Sequence, residues 1–192
     1  ADGMGGHRAG DYASRLCVET MVQSLEKSAH KTPVSLFEEA VTAANKAVFE
    51  ESASHVEYEG MGTTVVACTL EENTLYIANI GDSRLYLIRD GIEQITDDHS
   101  LVEEMVKQGN ITESEARIHP QKNMITRALG INEEVQADFF EIDVEQGDVI
   151  MLCSDGLSNM IEDEDMEYIV KNSDTLQTAA ESLVARANEN GG

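Results

Sequence analysis

The sequence has 192 residues, and its 37 Asp and Glu residues outnumber its 13 Lys and Arg residues to give a formal net charge of −24 at pH 7. This length suits one domain or a small pair, and the charge excludes nonspecific nucleic-acid binding and docking on anionic lipid, since both require Lys and Arg. No apolar run approaches the length of a membrane span and no signal peptide is visible, so we expect no membrane insertion.

Two helices are predicted in the first part of the chain. Apolar residues recur with helical spacing over residues 9–27. Ser35 and Glu38 then form a capping-box pattern, which predicts a second helix with Ser35 as its N-cap and an apolar stripe reaching Val48.

A run of short strands is predicted next. Alternating or β-branched segments at residues 63–70, 74–80, 84–89 and 92–95 are typical of strands. The turns between them are too short for parallel crossovers, and Asp90-Gly91 is a hairpin signal, so the sheet should be antiparallel.

The second half of the chain mixes both kinds of element. A helix is predicted at residues 101–108 and should stop at Gly109, and another should cover residues 176–187. Two more helices should begin at the Thr112–Glu115 capping box and at the acidic run 162–165. Strands are predicted at residues 137–144 and 149–153. Together these elements predict an α+β fold with helices packed on antiparallel sheet.

The cysteines predict a reducing compartment. Cys17, Cys68 and Cys153 are unclustered, lie in apolar surroundings and form no Cys-x-x-Cys pair. This usage favours reduced core thiols in a cytoplasmic protein over a disulfide frame or a zinc site.

Three aspartates have a common setting at a strand end or in a tight loop. Asp82 and Asp155 follow predicted strands, and Asp2 opens a glycine-rich turn before the first helix. Taken singly, each is more simply a turn residue, as Asp90 is in its hairpin. Brought together, the three carboxylates would repel one another unless a hard cation such as Mg²⁺, Mn²⁺ or Ca²⁺ joined them.

Several short motifs occur in a defined order along the chain. They are Asp2-Gly3-Met4-Gly5-Gly6-His7, Gly62-Thr63-Thr64, Ile80-Gly81-Asp82-Ser83-Arg84, Asp98-His99-Ser100, His119-Pro120, Thr126-Arg127-Ala128-Leu129-Gly130 and Ser154-Asp155-Gly156-Leu157. In this order they closely resemble the metal-dependent protein serine/threonine phosphatases of the type 2C family, in their bacterial single-domain form. The resemblance spans nearly the whole chain, and an isolated Asp-Gly-x-Gly-Gly would be weak evidence by comparison.

The resemblance implies a specific architecture. The family has two stacked antiparallel β-sheets flanked by helices, a four-layer α-β-β-α sandwich, with a helical flap inserted beside the cleft. We therefore expect one phosphatase domain over residues 1–192, with the flap at about residues 98–130. The family's N-terminal strands and its C-terminal metal-ligand strand have no counterpart here, so we expect a fragment whose own activity is an open question.

The resemblance also implies the metal ligands. Asp2 corresponds to the bridging ligand of two Mn²⁺ or Mg²⁺ ions, and Gly3 contributes its backbone carbonyl. Asp155 corresponds to a ligand of the second ion, and Asp82 shares with it a weaker third ion. The family mechanism is in-line attack on phosphorus by a metal-bridging water, without a phosphoenzyme.

Four further residues are assigned by position within the motifs. His7 is a candidate general acid for the departing serine or threonine oxygen, although capping or solvating the first helix is an equal alternative. His99, His119 and Arg127 lie within the flap. We expect these three residues to stabilise the structure of the flap. Direct contact between Arg127 and phosphate is the less favoured alternative.

The predicted function is hydrolysis of phosphoserine and phosphothreonine in proteins, which reverses Ser/Thr kinase action. The expected partners are phosphorylated proteins and a cognate Ser/Thr kinase, with no nucleic acid. Two alternatives stay open: a catalytically incomplete regulatory binding module, and a two-metal hydrolase of small phosphoesters. The oligomeric state is not predicted.

Overall fold

The computed structural model describes residues 1–29 and 32–191, with only the backbone of His7. The helices are α1 (His7–Lys27), α2 (Pro33–Ser54), α3 (Leu101–Lys107), α4 (Glu113–Arg117), α5 (Asp155–Ser158), α6 (Asp163–Lys171) and α7 (Leu176–Glu189), with a 3-10 helix at Val56–Tyr58. The strands are β1 (Gly3–Met4), β2 (Gly62–Thr63), β3 (Val65–Glu71), β4 (Thr74–Ile80), β5 (Arg84–Ile88), β6 (Ile92–Gln94), β7 (Asp138–Asp143) and β8 (Val149–Cys153). The predicted α+β class with antiparallel pairing is confirmed.

The described chain divides into two compact units. The first unit contains Ala1–Ser83 and Asp97–Val144, and the second contains Arg84–Thr96 and the chain from Glu145 onward. Each unit has a three-stranded sheet of its own, in the order β3-β4-β7 in the first and β6-β5-β8 in the second. None of the helices in the described residues is long and apolar enough to span a membrane.

The core of the first unit forms where α1 and α2 pack together with β3 and β4. From α1, Ala13 and Cys17 are completely buried at a spacing of four residues, which places them on one face of the helix. From α2, Phe37 and Val48 join the same core, together with Ile80 from β4. Burial of each large apolar side chain contributes about 1.5–3 kcal/mol relative to exposure, so this core fixes both helices.

The start of α2 differs from the prediction. The N-cap is Thr32, whose Oγ1 accepts a hydrogen bond from the Ser35 amide at 3.4 Å, and Pro33 is the first helical residue. The predicted cap at Ser35 was therefore wrong by almost one turn. Proline has no amide hydrogen and a fixed φ that suits the first helical position, and this makes Thr32-Pro33 the stronger start signal.

The core of the second unit surrounds Tyr86 on β5. Its ring is completely buried and packs with Met166 from α6 and Leu183 from α7. The phenol oxygen accepts a hydrogen bond from Arg84 Nη1 at 2.8 Å and lies 3.5 Å from Asp163 Oδ1. Burial raises the pKa of the Tyr86 phenol above its ordinary value, so the group stays neutral and hydrogen-bonded.

Residues 98–130, the predicted flap segment, contain the two short helices α3 and α4. Ser100 is the N-cap of α3, and the helix ends just before Gly109, which has a positive φ of 72°. Thr112 and Glu115 form the predicted capping box at the start of α4. The local signals for both helices are confirmed, because short-range capping chemistry decides their ends.

Buried Asn45 on α2 anchors the chain that follows this segment. Its Nδ2 donates to the carbonyls of Asn132 and Glu133 at 3.0 and 2.9 Å, and its Oδ1 accepts from the Gly130 amide at 2.7 Å. Gly130 has a φ of 87°, and a Cβ there would overlap the Val48 side chain. One amide side chain therefore fixes this glycine turn against α2.

We expect Asn45→Ala to lower the free energy of unfolding by about 1–3 kcal/mol, because it leaves the buried Gly130 amide without an acceptor. The measurement is a urea titration followed by circular dichroism. The matched control is Asn188→Ala on α7, where the side chain is exposed and the change should stabilise slightly through helix propensity. Equal effects at the two positions would contradict the anchoring role.

Candidate functional site

The backbone of Asp2 is held by two neighbouring threonines. Its amide donates to Thr64 Oγ1 at 2.9 Å, and its carbonyl accepts from the Thr64 amide at 2.9 Å and from Thr63 Oγ1 at 3.1 Å. Among the side chains that the structure describes, none donates a hydrogen bond to the Asp2 carboxylate. The main chain is thus fixed while the half-buried carboxylate remains available to a ligand.

Gly3 lies on β1 and presents its carbonyl away from β2. It pairs with Thr63, whose amide and carbonyl both bond to Leu129, at 3.0 and 2.9 Å. Both polar groups of an antiparallel residue point to the same side, so Gly3 and Thr63 form a non-hydrogen-bonded pair. The carbonyl of Gly3 instead approaches Gly10 of α1, where a Cβ would lie only 2.5 Å from that oxygen.

Asp82 lies in the tight connection between β4 and β5. Gly81 precedes it with a φ of 103°, and a Cβ there would lie 2.6 Å from Thr64 Cγ2. Ser83 follows it, and Ser83 Oγ lies 2.7 Å from Thr64 Oγ1. Asp82 is half-buried, and its main chain is confined on both sides by contacts to one threonine.

His99 joins this loop to β7. Its Nδ1 accepts from the Gly81 amide at 2.9 Å, and its own amide donates to the Gly81 carbonyl at 2.9 Å. Since Nδ1 is an acceptor, Nε2 carries the proton that is donated to Asp138 Oδ2 at 3.0 Å. His99 therefore reaches outside residues 98–130 and braces the turn before Asp82.

Arg127 binds the other oxygen of the Asp138 carboxylate. Its Nη1 donates to Asp138 Oδ1 at 2.6 Å and to the carbonyl of Gln136 at 3.1 Å. Partial burial raises the pKa of the Asp138 carboxyl, but the hydrogen bonds from His99 and Arg127, together with the positive charge of Arg127, outweigh it and hold the pKa below its usual range. Asp138 is consequently ionised at neutral pH and joins both residues to β7.

The remaining histidine assignments are more local. His119 Nδ1 accepts from the Gln121 amide at 3.2 Å, a contact inside residues 98–130. His7 is the first residue of α1, but its side chain lies outside the described residues. The role of His7 as a general acid and that of His119 in the structure of the flap both stay predictions.

Asp155 belongs to the second unit, immediately after β8. It is the first residue of α5, and its Oδ2 accepts a hydrogen bond from Asn159 Nδ2 at 3.2 Å. The side chain is half-buried. A strand end that leads directly into a helix provides a rigid mount for a carboxylate.

The ligand chemistry of these segments fits a hard cation. Within residues 1–29 and 32–191, no three His, Cys, Asp or Glu side chains come close enough to enclose a metal ion by themselves. The candidate donors are the carboxylate of Asp2, whose main chain is held in place, and the carbonyl of Gly3, and both are oxygen atoms. Oxygen ligands of this type suit Mg²⁺, Mn²⁺ or Ca²⁺ better than zinc or copper.

Sequence reasoning missed several residues that support these segments. Thr64 and Ser83 were within quoted motifs but had no assigned role, whereas Gly10, Asn45 and Asp138 had no recognisable motif at all. A helical glycine, a helical asparagine and a strand aspartate acquire their roles only through tertiary contacts.

Comparison with known proteins identifies the family. A model of the family described as protein phosphatase 2C matches residues 1–188. The chain is 39% identical over 197 residues to a serine/threonine phosphatase, stp, of Listeria monocytogenes, and the match covers 100% of this chain and 78% of that protein.

Two solved structures share the fold. The Mycobacterium tuberculosis serine/threonine phosphatase PstP/Ppp superposes with a TM-score of 0.91 at 37% identity, over 99% of this chain and 80% of that one. The catalytic domain of the serine/threonine protein phosphatase PstP in complex with two manganese ions superposes with a TM-score of 0.87 at 34% identity, over 98% of this chain and 79% of that one.

We expect Gly10→Ala to lower both the free energy of unfolding and the affinity for Mn²⁺. A Gly→Ala change inside a helix normally stabilises by about 0.5–1 kcal/mol. At Gly10 the sign should reverse, because the new Cβ would lie 2.5 Å from the Gly3 oxygen and force β1 away from α1. Urea denaturation and isothermal titration calorimetry with Mn²⁺ measure the two effects.

The matched control is Gly91→Ala, in the Asp90-Gly91 hairpin. A Cβ at this position would meet no atom within 4 Å. This variant should bind Mn²⁺ like the unaltered protein. If Gly10→Ala instead stabilised the protein and left Mn²⁺ affinity unchanged, the close approach of Gly3 to α1 would contribute to neither stability nor metal binding.

Proposed function

Because the chain belongs to the protein phosphatase 2C family, we propose that it hydrolyses phosphoserine and phosphothreonine in proteins with the help of divalent metal ions. The observation that carries the proposal is the tethered Asp2-Gly3 segment, in which the main chain is fixed and the carboxylate is left available. Water cleaves the phosphomonoester, and the products are inorganic phosphate and the free side-chain hydroxyl.

We assign the metal ligands residue by residue from the family motifs. Asp2 and the carbonyl of Gly3 would hold the principal ions, with Asp155 as a ligand of the second ion and Asp82 as a ligand of a weaker third. Mn²⁺ or Mg²⁺ fits this oxygen donor set. When bound, such ions supply positive charge that neutralises phosphoryl oxygens and lowers the pKa of water.

The protein's own contribution is mainly positioning. The threonine contacts keep the main chain of Asp2 in place before any ligand arrives, which reduces the ordering cost of binding. His7, at the first position of α1, is proposed to protonate the oxygen of the departing serine or threonine.

Arg127 is proposed to support the flap segment rather than bind phosphate. Its Nη1 already donates to Asp138 and to the carbonyl of Gln136. Binding a substrate phosphate through Nη1 would require Arg127 to give up a charge-assisted hydrogen bond to an ionised carboxylate, a type roughly twice as strong as a neutral one. His99 and His119 are assigned to the same supporting role.

The proposed partners are phosphorylated proteins and a cognate Ser/Thr kinase whose action the protein reverses. A cytoplasmic location is proposed on the evidence of the thiols: Cys17 and Cys68 are free. Burial raises the pKa of Cys17 to about 11 and raises that of Cys68 as well, which keeps both in the unreactive thiol form.

We expect Asp155→Asn to lower kcat/KM for a phosphothreonine peptide by at least about 100-fold, since even residues behind the ligands of a metal cost 10–100-fold when changed. Asparagine retains the oxygen that accepts from Asn159 Nδ2, so the start of α5 should survive. The assay measures phosphate release in Mn²⁺, in Mg²⁺ and in excess chelator, with the full-length natural protein.

The matched control is Asp90→Asn, a second Asp-Gly pair in the same unit, where the side chain is exposed in a hairpin. It should keep full activity. Full activity of Asp155→Asn, or a rate that chelator does not change, would refute the metal assignment. Faster turnover of a nucleotide than of the phosphopeptide would instead favour a hydrolase of small phosphoesters, and no turnover of either would favour a binding module.

A further inference from the structure

Thr64 contacts both segments of the first unit that carry proposed metal ligands. Its Oγ1 accepts from the Asp2 amide at 2.9 Å and lies 2.7 Å from Ser83 Oγ. A hydroxyl has one hydrogen and two lone pairs, so a single oxygen can serve both bonds at once. The side-chain hydrogen-bond connection between the segments of Asp2 and Asp82 therefore passes through one atom.

The surroundings make this connection stiff. Thr64 is 3% exposed and Ser83 is 1% exposed, so water competes poorly for the hydroxyl–hydroxyl bond. The methyl group of Thr64 packs against Gly81, where a Cβ would lie 2.6 Å from it. The amide of Thr64 also donates to the Asp2 carbonyl at 2.9 Å, which holds the residue from its main chain as well.

Both segments lead to carboxylates, and like charges held in one region of the protein repel one another until cations arrive. Without the hydroxyl link, the two segments would be held less firmly, and cation binding would have to order them. A hydrogen bond that already joins the two segments lowers the entropic cost of ordering them and so raises the affinity for the cation.

We propose that Thr64 is a positioning residue that prepares the Asp2 and Asp82 segments for a divalent cation through its hydroxyl group. This inference rests on the proposed metal-dependent function and extends it to a residue that touches no proposed substrate. The hydroxyl holds the two segments, while the methyl group only fills space beside Gly81.

Two substitutions separate the roles of these groups. Thr64→Val keeps the shape and the methyl contact but removes the hydroxyl, and Thr64→Ser keeps the hydroxyl but removes the methyl group. We expect Thr64→Val to weaken Mn²⁺ binding about 10–100-fold, the range for residues that orient metal ligands. Thr64→Ser should restore most of that affinity.

Isothermal titration calorimetry of the metal-free protein with Mn²⁺ measures the affinity directly and without any phosphatase assay. In parallel, the Mn²⁺ concentration for half-maximal phosphopeptide hydrolysis should rise for Thr64→Val, whereas KM for the peptide at saturating Mn²⁺ should stay constant. A purely structural defect would not confine its effect to the metal.

Ser83→Ala tests the second half of the link. It removes the bond to Thr64 Oγ1 but leaves the bond from the Asp2 amide intact, so its effect on Mn²⁺ affinity should be smaller than that of Thr64→Val. Because both residues act through one bond, the double variant should bind Mn²⁺ no more weakly than Thr64→Val alone. Ser83→Ala also keeps the test decisive if Thr64→Val fails to fold.

The matched control is Thr69→Val, the same change at an exposed position of β3, which should leave Mn²⁺ affinity unchanged. Unaltered Mn²⁺ affinity in Thr64→Val, equal losses in Thr64→Val and Thr64→Ser, or full additivity with Ser83→Ala would overturn the proposal. No Mn²⁺ binding by the unaltered protein would overturn it together with the metal assignment. Normal Mn²⁺ binding without phosphopeptide hydrolysis would refute the proposed function alone, and the Thr64 variants would still decide this inference.

Discussion

The backbone attachment of Asp2 to Thr63 and Thr64 is the interaction on which the candidate site depends. A two-residue strand such as β1 has almost no stability of its own, since isolated short strand pairs are marginal in water. The three hydrogen bonds between the threonines and Asp2 give the main chain that carries the carboxylate a defined position. The position of the Asp2 main chain therefore depends on the position of β2.

The position of β2 is in turn determined by the helical core. Leu129 bonds to Thr63 through both of its main-chain groups, and the adjacent Gly130 is held by Asn45 on α2. Asn45 lies on the same helix as Phe37 and Val48, which anchor α2 in the core. Apolar burial thus fixes α2, α2 fixes the turn at Gly130, and the turn fixes the strand that contains Thr63 and leads directly into Thr64.

A second set of contacts stabilises the loop that carries Asp82. Thr64 and His99 hold Gly81 and Ser83 on either side of it, and Asp138 accepts from His99 and Arg127. His99 and Arg127 stand near the two ends of residues 98–130. Residues 98–130, the predicted flap, are therefore attached near both ends to a single carboxylate of β7, while α3 and α4 lie between those ends.

Local signals in the sequence were sufficient for most regular elements and for the family. The α1 stripe, the strand runs and the Thr112–Glu115 capping box are short-range features, and the structure confirms them. The brief strands β1 and β2 could not be predicted, because two residues contain no periodicity. The supporting contacts of Thr64 and Asn45 span 62 and 85 residues along the chain, and such pairs become visible only in the folded protein.

The most direct test of this account is an anomalous difference map, measured near the manganese absorption edge, from crystals of the protein grown with Mn²⁺. We expect a manganese peak at about 2.0–2.3 Å from the Asp2 carboxylate, with the Gly3 carbonyl toward the same centre. Manganese bound only at surface carboxylates, with Asp2 unliganded and its backbone still attached to Thr64, would contradict the central claim.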